Sequence, residues 1–315
     1  MSSDGMNTSK LIQSIENRSH VPVNQDTFTK LRFLDFATEE MRLTLTPYIL
    51  LANEDYFLFE VEVPFVNGQL EYPIPSRAAG VKLKDLQLKD SSGNYRELTR
   101  ISIGDRFGNE YGQAFYYLNQ FYIKNNKVVF LGNNNINYSN YKLVFVIYIR
   151  PSQLVLEDRV GVISSINRTN NTIVVDQIPE VFTTQQTYDF YKASSPFNVV
   201  KIDFNVLSLN TTTNTITVES IPEEIDVGDH IALSNEASIP QVPEEFHAML
   251  AQMVACRLME SQGDSEGLKN AMVKLQQMKD DGGYLIDNRV TNAPKKVRNR
   301  FGFLRNPFGR FYYRR

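Results

Sequence analysis

Apolar residues recur at helical spacing at both ends of the chain and at strand spacing through its middle. Near the N-terminus, Leu11, Ile12 and Ile15 fit a short helix that Pro22 stops or kinks. A longer helix is expected between Asp26 and Leu45. There Leu31, Leu34, Met41 and Leu45 fall within about 80° of one another at 100° per residue, while Phe33, Phe36 and Leu43 cluster on another side, so more than one face is covered. The period then changes to two. Tyr56, Leu58 and Glu60 to Val63, Gln69 to Pro73, Val81 to Leu88, Lys127 to Leu131 and Lys142 to Ile149 read as strands, with Ser91-Ser92-Gly93-Asn94 as a hairpin turn.

Beyond Pro243 the helical spacing returns, first in Phe246, Met249, Leu250 and Met253, then in Leu268, Ala271, Met272, Leu275 and Met278. Pro243 suits a first helical position, and Glu244 and Glu245 complement the N-terminal dipole. Gly263-Asp264 marks the break, Asp264 or Ser265 caps the second helix, and Gly282-Gly283 is expected to stop it. So short a connection packs the two helices antiparallel. Ala248, Ala251 and Ala255 lie between the larger residues of the first helix and leave it apolar nearly all round, so it is buried on both sides. Two readings of that burial stay open. One is ordinary core, in which Met249, Met253, Met259, Met272 and Met278 fill irregular gaps. The other is a subunit interface formed by Phe246, Met249, Leu250, Ala251, Met253 and Ala255.

The clearest internal signal is a repeat. Ser165 to Pro179 aligns without a gap on Ser208 to Pro222, 43 residues further on. Each copy has an Asn/Thr-rich turn between two short β-branched runs, then Ile-Pro, then a further strand at Thr187 to Tyr191 or His230 to Leu233. Two copies are too few for a solenoid and predict one small β-barrel or sandwich built by duplication. Its limits, about Leu156 to Ser234, interrupt the chain between the β section and the helical hairpin. The expected class is α+β. Residues 1–155 hold N-terminal helices and a β section, 156–236 an inserted β-domain, and 237–283 a helical hairpin that completes a bundle with the N-terminal helices. Residues 284–315 form an extended basic arm.

Composition narrows the function. With 315 residues, 42% hydrophobic and 22% charged, 20 Phe and 16 Tyr, the chain is globular rather than disordered or collagenous. Cys256 alone makes no internal disulfide, and His20, His230 and His247 are too scattered for a zinc site. No apolar run approaches the ~20 residues that span a bilayer, and Met1 to His20 lacks a signal-peptide core, so a product that stays in the cytoplasm where it is made is expected. His247 and Cys256 are nine residues apart, about 180° around a helix, which excludes a Cys/His pair. Gly104-Asp105-Arg106-Phe107-Gly108 and Gly228-Asp229-His230 lack phosphate-loop spacing, and triplets such as Asn137-Tyr138-Ser139 and Asn167-Arg168-Thr169 carry no weight without a secretory signal. The expectation is no enzyme, no cofactor and no metal; a carboxylate pair distant in the chain stays open.

The net charge of −3 hides an asymmetry. Lys295, Lys296, Arg298, Arg300, Arg305, Arg310, Arg314 and Arg315 fall in the last 21 residues without an acidic one, which leaves 25 basic residues against 36 acidic ones in the body. From Arg300 onward arginine and aromatic residues alternate among Gly and Pro, so an extended arm is expected. Six aromatics in the last 15 residues argue against a merely solvated tail. Two uses remain. Phe301, Phe303, Phe308 and Phe311 can anchor in a partner protein while Arg300, Arg305, Arg310, Arg314 and Arg315 pair with acidic groups. Alternatively, the same residues neutralise phosphates and stack on bases, as in a nucleic-acid-binding protein.

The stretch Ile239-Pro240-Gln241-Val242-Pro243-Glu244-Glu245-Phe246-His247-Ala248-Met249-Leu250, running on through Arg257 to Gly263-Asp264 and a second helix, resembles the head-to-tail adaptor proteins of tailed bacteriophages. In that family two prolines and Glu-Glu-Phe-His lead into an apolar helix. The N-terminal helices, Glu71-Tyr72-Pro73-Ile74-Pro75 and the Leu83 to Leu98 hairpin also look like phage neck proteins, including the tail tubular protein A-like and crAss-like ring proteins of short-tailed phages. The repeated segment lies outside the resemblance. What the resemblance implies is a virion structural protein at the head–tail junction, with its bundles in a ring, commonly of twelve copies, under the portal. It also implies an arm that reaches onto the portal protein, contacts with further neck or tail proteins, and a bore that passes genomic DNA without binding it specifically. No membrane partner is expected.

Overall fold

The computed structural model describes residues 6–20, 28–104, 120–131 and 140–286. Helix α1 (Thr8–Ser19) opens where the Asn7 side chain accepts a hydrogen bond from the Lys10 N–H at 2.9 Å, and closes where His20 turns left-handed. Helix α2 (Lys30–Glu40), capped by Thr29, leads into a π-helical turn (Met41–Leu45) and then α3 (Thr46–Ala52). The expected Asp26 to Leu45 helix therefore starts later and extends seven residues further. Pro47 is accommodated because the wide π turn comes just before it and α3 restarts with the proline in its first turn. Asp26 and Pro22 lie outside the described residues.

A 3₁₀ turn (Glu54–Phe57) takes up Tyr56, so the strand read from Tyr56 begins instead at Leu58. Strands β1 (Leu58–Pro64), β3 (Ala78–Lys89), β4 (Tyr95–Glu97) and β8 (Lys142–Ile149) form one sheet in the order β1-β8-β3-β4. Strands β2 (Glu71–Pro73), β5 (Thr99–Arg100), β6 (Gln120–Lys124) and β7 (Lys127–Leu131) form a second, ordered β2-β7-β6-β5. The two sheets share an apolar core that includes Leu86, Leu88, Phe121, Phe130, Phe145 and Ile147. In the β3–β4 turn the Asp90 carboxylate accepts from the Ser92 and Asn94 N–H groups, and Gly93 supplies the positive φ.

Strands β10 (Gly161–Asn167), β11 (Thr172–Val175), β12 (Thr187–Tyr191), β13 (Val199–Asn210), β14 (Thr215–Val218) and β15 (His230–Leu233) close a barrel in the order β10-β11-β14-β13-β12-β15. Its registers have an internal two-fold. Ile173 pairs with Ile216, 43 positions on, and Thr172↔Thr217 mirrors Val174↔Thr215. On the opposite wall Asp189 pairs with Ala232, and Tyr188↔Leu233 mirrors Phe190↔Ile231. Both hairpins slip register at matching places, between Ile163 and Ser165 and between Val206 and Ser208. Their turns match too. Asn167 and Asn210 each accept from two following N–H groups, and Asn171 and Asn214 each take positive φ, which asparagine tolerates best among residues with a Cβ. Asn167 is thus a turn former. Strands β9 (Gln153–Leu154) and β16 (Glu236–Ala237) pair in parallel, so the chain enters and leaves the barrel side by side.

Pro243 precedes a 3₁₀ turn (Glu244–Phe246) rather than opening the helix, and α4 (His247–Gln262) follows. Gly263 ends α4 with φ 76°, and Asp264 accepts from the Gly267 N–H at the start of α5 (Ser265–Ile286). The expected stop at Gly282-Gly283 is absent: α5 runs through both. A Cβ at Gly282 would sit 2.9 Å from the Phe246 ring, so this glycine serves a close helix approach and not a C-cap. The fold is mixed α+β, with helices at both ends of the described chain and a β-rich middle. Among the described residues no helix is long and apolar enough to cross a membrane.

Candidate functional site

Helix α4 is the axis of the helical part, with α1, α2 and α5 packed against it. Phe246, Met249, Leu250, Ala251, Met253 and Ala255 are each at most 4% exposed within one chain. The subunit interface expected at these six residues is therefore corrected. A helix apolar all round needs cover on every side, and the chain's own helices supply it. Gln252, the polar residue among them, is buried as well and ties three helices together. Its carbonyl accepts from Arg18 on α1 at 2.8 Å, and its amide donates to the Ala271 carbonyl on α5 at 3.2 Å. The expected arm residues Arg300, Phe301, Phe303, Arg305, Phe308, Arg310, Phe311, Arg314 and Arg315 lie outside the described residues. The last described residue before them is Ile286, at the end of α5.

Exposed apolar surface on the helices sits elsewhere. Leu43 is 76% and Leu51 89% exposed, with exposed Pro47 between them at four-residue steps along the π turn and α3. Nearby, Met253 and Cys256 of α4, Glu40 and Thr44, and Leu268 and Met272 of α5 border a groove of about 320 Å³. At its edge Arg257 pairs with Glu39 at 2.5 Å and lies over the Phe36 ring. Burial pushes the Cys256 thiol up, away from the thiolate form that reacts. Across the helix His247 is buried. Its Nε2 faces the Pro240 and Val242 carbonyls at 3.1 Å, which makes Nε2 the protonated nitrogen and leaves Nδ1 without a hydrogen-bond partner among the described residues. The two side chains do not meet as a catalytic pair. Among the described residues no cluster of three or more His, Cys, Asp or Glu is placed to hold a metal.

The polar site that sequence reasoning missed lies where the barrel meets the rest of the chain. Arg77, before β3, donates to Asp189 of β12 at 2.5 Å and to Ser152 Oγ at 3.0 Å, with both members of the ion pair buried. Asp189 also accepts from the Asp203 and Asn235 N–H groups at 2.9 Å. Arg42 of the π turn reaches the same seam, donating to the Pro151 carbonyl and to Asn235 Oδ1. Asp189 has one signal in the sequence, a carboxylate set among Tyr188, Phe190 and Tyr191 in a strand; its partner 112 positions away has none. Apolar packing runs across the seam as well, because Tyr191, Val199 and Ala232 of the barrel share a core with α1, α2 and α4.

These elements offer an exposed apolar row, a thiol- and thioether-lined groove and a seam closed by a buried ion pair. No protein-family model matches the chain, and no curated protein matches its sequence.

Proposed function

We propose that this chain is a head-to-tail connector protein of a tailed phage, one subunit of a ring seated under the portal and leading to the tail. The observation that carries this reading is the position of the Ile239 to Arg257 motif. It forms the turn and helix around which the helices from the two ends of the chain pack, with the β section and barrel held between. An adaptor bundle interrupted by one inserted unit has this organisation. The internal two-fold of the barrel supports its origin by duplication of a strand-turn-strand-strand segment within residues 156–236. On this reading residues 1–155 and 237–286 form the adaptor body, since α5 runs three residues into the segment expected as arm, and the chain beyond Ile286 is the arm.

The ring, of about twelve copies as the family implies, is held through the Leu43–Pro47–Leu51 row in place of the buried α4 residues. The arm docks on the portal, with Phe301, Phe303, Phe308 and Phe311 in pockets and the arginines paired to acidic groups. Burying one phenylalanine contributes about 1.5 to 3 kcal/mol, so the aromatics dominate attachment. The acidic body leaves the bore without affinity for DNA. The chain catalyses nothing, needs no cofactor, and resides in the virion after synthesis in the host.

A second reading, nucleic-acid binding through the tail, is favoured by eight cations without an acidic residue in the last 21 positions. One experiment separates the two. Deleting residues 300–315 abolishes attachment to DNA-filled heads, replacing the four phenylalanines by Ala does the same, and replacing the arginines by Gln weakens it in part. Phenylalanine variants that attach normally, together with arginine variants that lose steeply salt-dependent DNA binding, assign the tail to nucleic acid instead.

A further inference from the structure

A second cavity, of about 240 Å³, opens at the seam between the β section and the barrel. Phe57, Phe59, Ile149, Pro151 and Val199 wall it, and the Tyr56 hydroxyl donates to the Pro196 carbonyl at 2.7 Å beside it. No charged side chain stands among the described residues that line it. Gln241 lines it too, only 6% exposed. The orientation of its amide is fixed, because Oε1 accepts from the Ser152 N–H at 2.8 Å, and that contact requires an oxygen. Nε2 is then the free end, a buried donor without a partner among the described residues. Burying such a donor unpaired is costly.

We infer that this cavity is a binding site for a neutral, ring-sized apolar group that carries one acceptor oxygen, held by the Gln241 Nε2–H. Volume, wall chemistry and donor each select a part of that description. A cavity of about 150 Å³ already holds benzene, so 240 Å³ holds a six-membered ring with a short tail. A charged ligand finds no counter-ion on these walls and loses its hydration. The site is independent of the ring assignment and stands or falls without it.

The test is a titration of the full chain with acetophenone and with ethylbenzene, which share a ring and a two-carbon tail and differ in the carbonyl. Acetophenone binds about tenfold more tightly, the worth of one hydrogen bond to a buried donor. Gln241→Met removes the donor and equalises the two probes. Gln241→Leu, which also lacks a donor, does the same and serves if the Met variant fails to fold. Binding of neither probe, equal binding of both, or an acetophenone preference that survives the Gln241 substitutions overturns the assignment.

Discussion

Two buried residues show how single positions set the stability of this chain. Asp189 accepts four hydrogen bonds, one of them from the Arg77 guanidinium, so the pair is desolvated but well satisfied. Asp189→Ala strands Arg77 in the interior and is expected to cost about 3 to 5 kcal/mol, read from urea unfolding. The double change Arg77→Met with Asp189→Leu removes both charges and costs clearly less. His247 makes a different prediction. Burial holds it, and His230, below the ordinary histidine value of 6.5. As pH falls the unfolded chain therefore takes up the proton first, so stability present above about pH 6.5 is lost as pH drops from there toward the lower folded values. The unfolding midpoint falls between pH 7.5 and 5.5, and His247→Gln, which keeps a donor for the two carbonyls, flattens that slope. A slope unchanged by the substitution removes His247 from the account. Sequence reasoning placed His247 and Cys256 on opposite faces of one helix because angular spacing is local. The Arg77–Asp189 pair was hidden because it depends on how the barrel docks.

Among the elements, α5 shows where local signals mislead. A Gly-Gly pair near the end of an amphipathic run is a stop signal by propensity, yet the helix continues because both glycines face Phe246 or Tyr48 at close range. Tyr48 also donates to the Lys279 carbonyl, fixing α3 on α5. Helix propensity alone favours Gly→Ala by about 1 kcal/mol. At Gly282 the new Cβ would lie 2.9 Å from the Phe246 ring, so overpacking wins and Gly282→Ala is expected to destabilise by about 1 to 3 kcal/mol. At Gly283 the nearest atom is the Tyr48 hydroxyl at 3.4 Å, and Gly283→Ala is expected to be neutral or mildly stabilising. Thermal melts of the two variants check the contrast; equal effects contradict it. Most strands of the β section and the barrel were legible, since alternation and Asn-rich turns are short-range properties, but Thr99–Arg100 and Gln120–Lys124 were not read. The 3₁₀ turn at Tyr56 and the π turn were not, because each reflects how α2 and β1 must be joined over the core.

At the scale of the whole molecule, the barrel has its own apolar interior but is clamped by the Arg77–Asp189 seam, the β9–β16 pair and a core shared with the helices. Its two connections include buried Ser152, Ser238 and Ile239, so a protease finds little purchase there. Moving the proposed ring contact from α4 to the Leu43–Leu51 row makes the two sites distinguishable by mutation. Ala251→Glu places a charge in a filled core and unfolds the chain. Leu43→Glu with Leu51→Glu changes exposed side chains, leaves the melt within about 0.5 kcal/mol of the parent, and blocks self-association. The most direct measurement is the mass of the purified full chain by native mass spectrometry, alone and with portal rings added, for the parent and for the Leu43→Glu, Leu51→Glu variant. The connector account predicts a closed ring of copies for the parent on the portal and a folded monomer for the variant. A parent that stays monomeric with the portal present, or a variant that assembles as well as the parent, contradicts it.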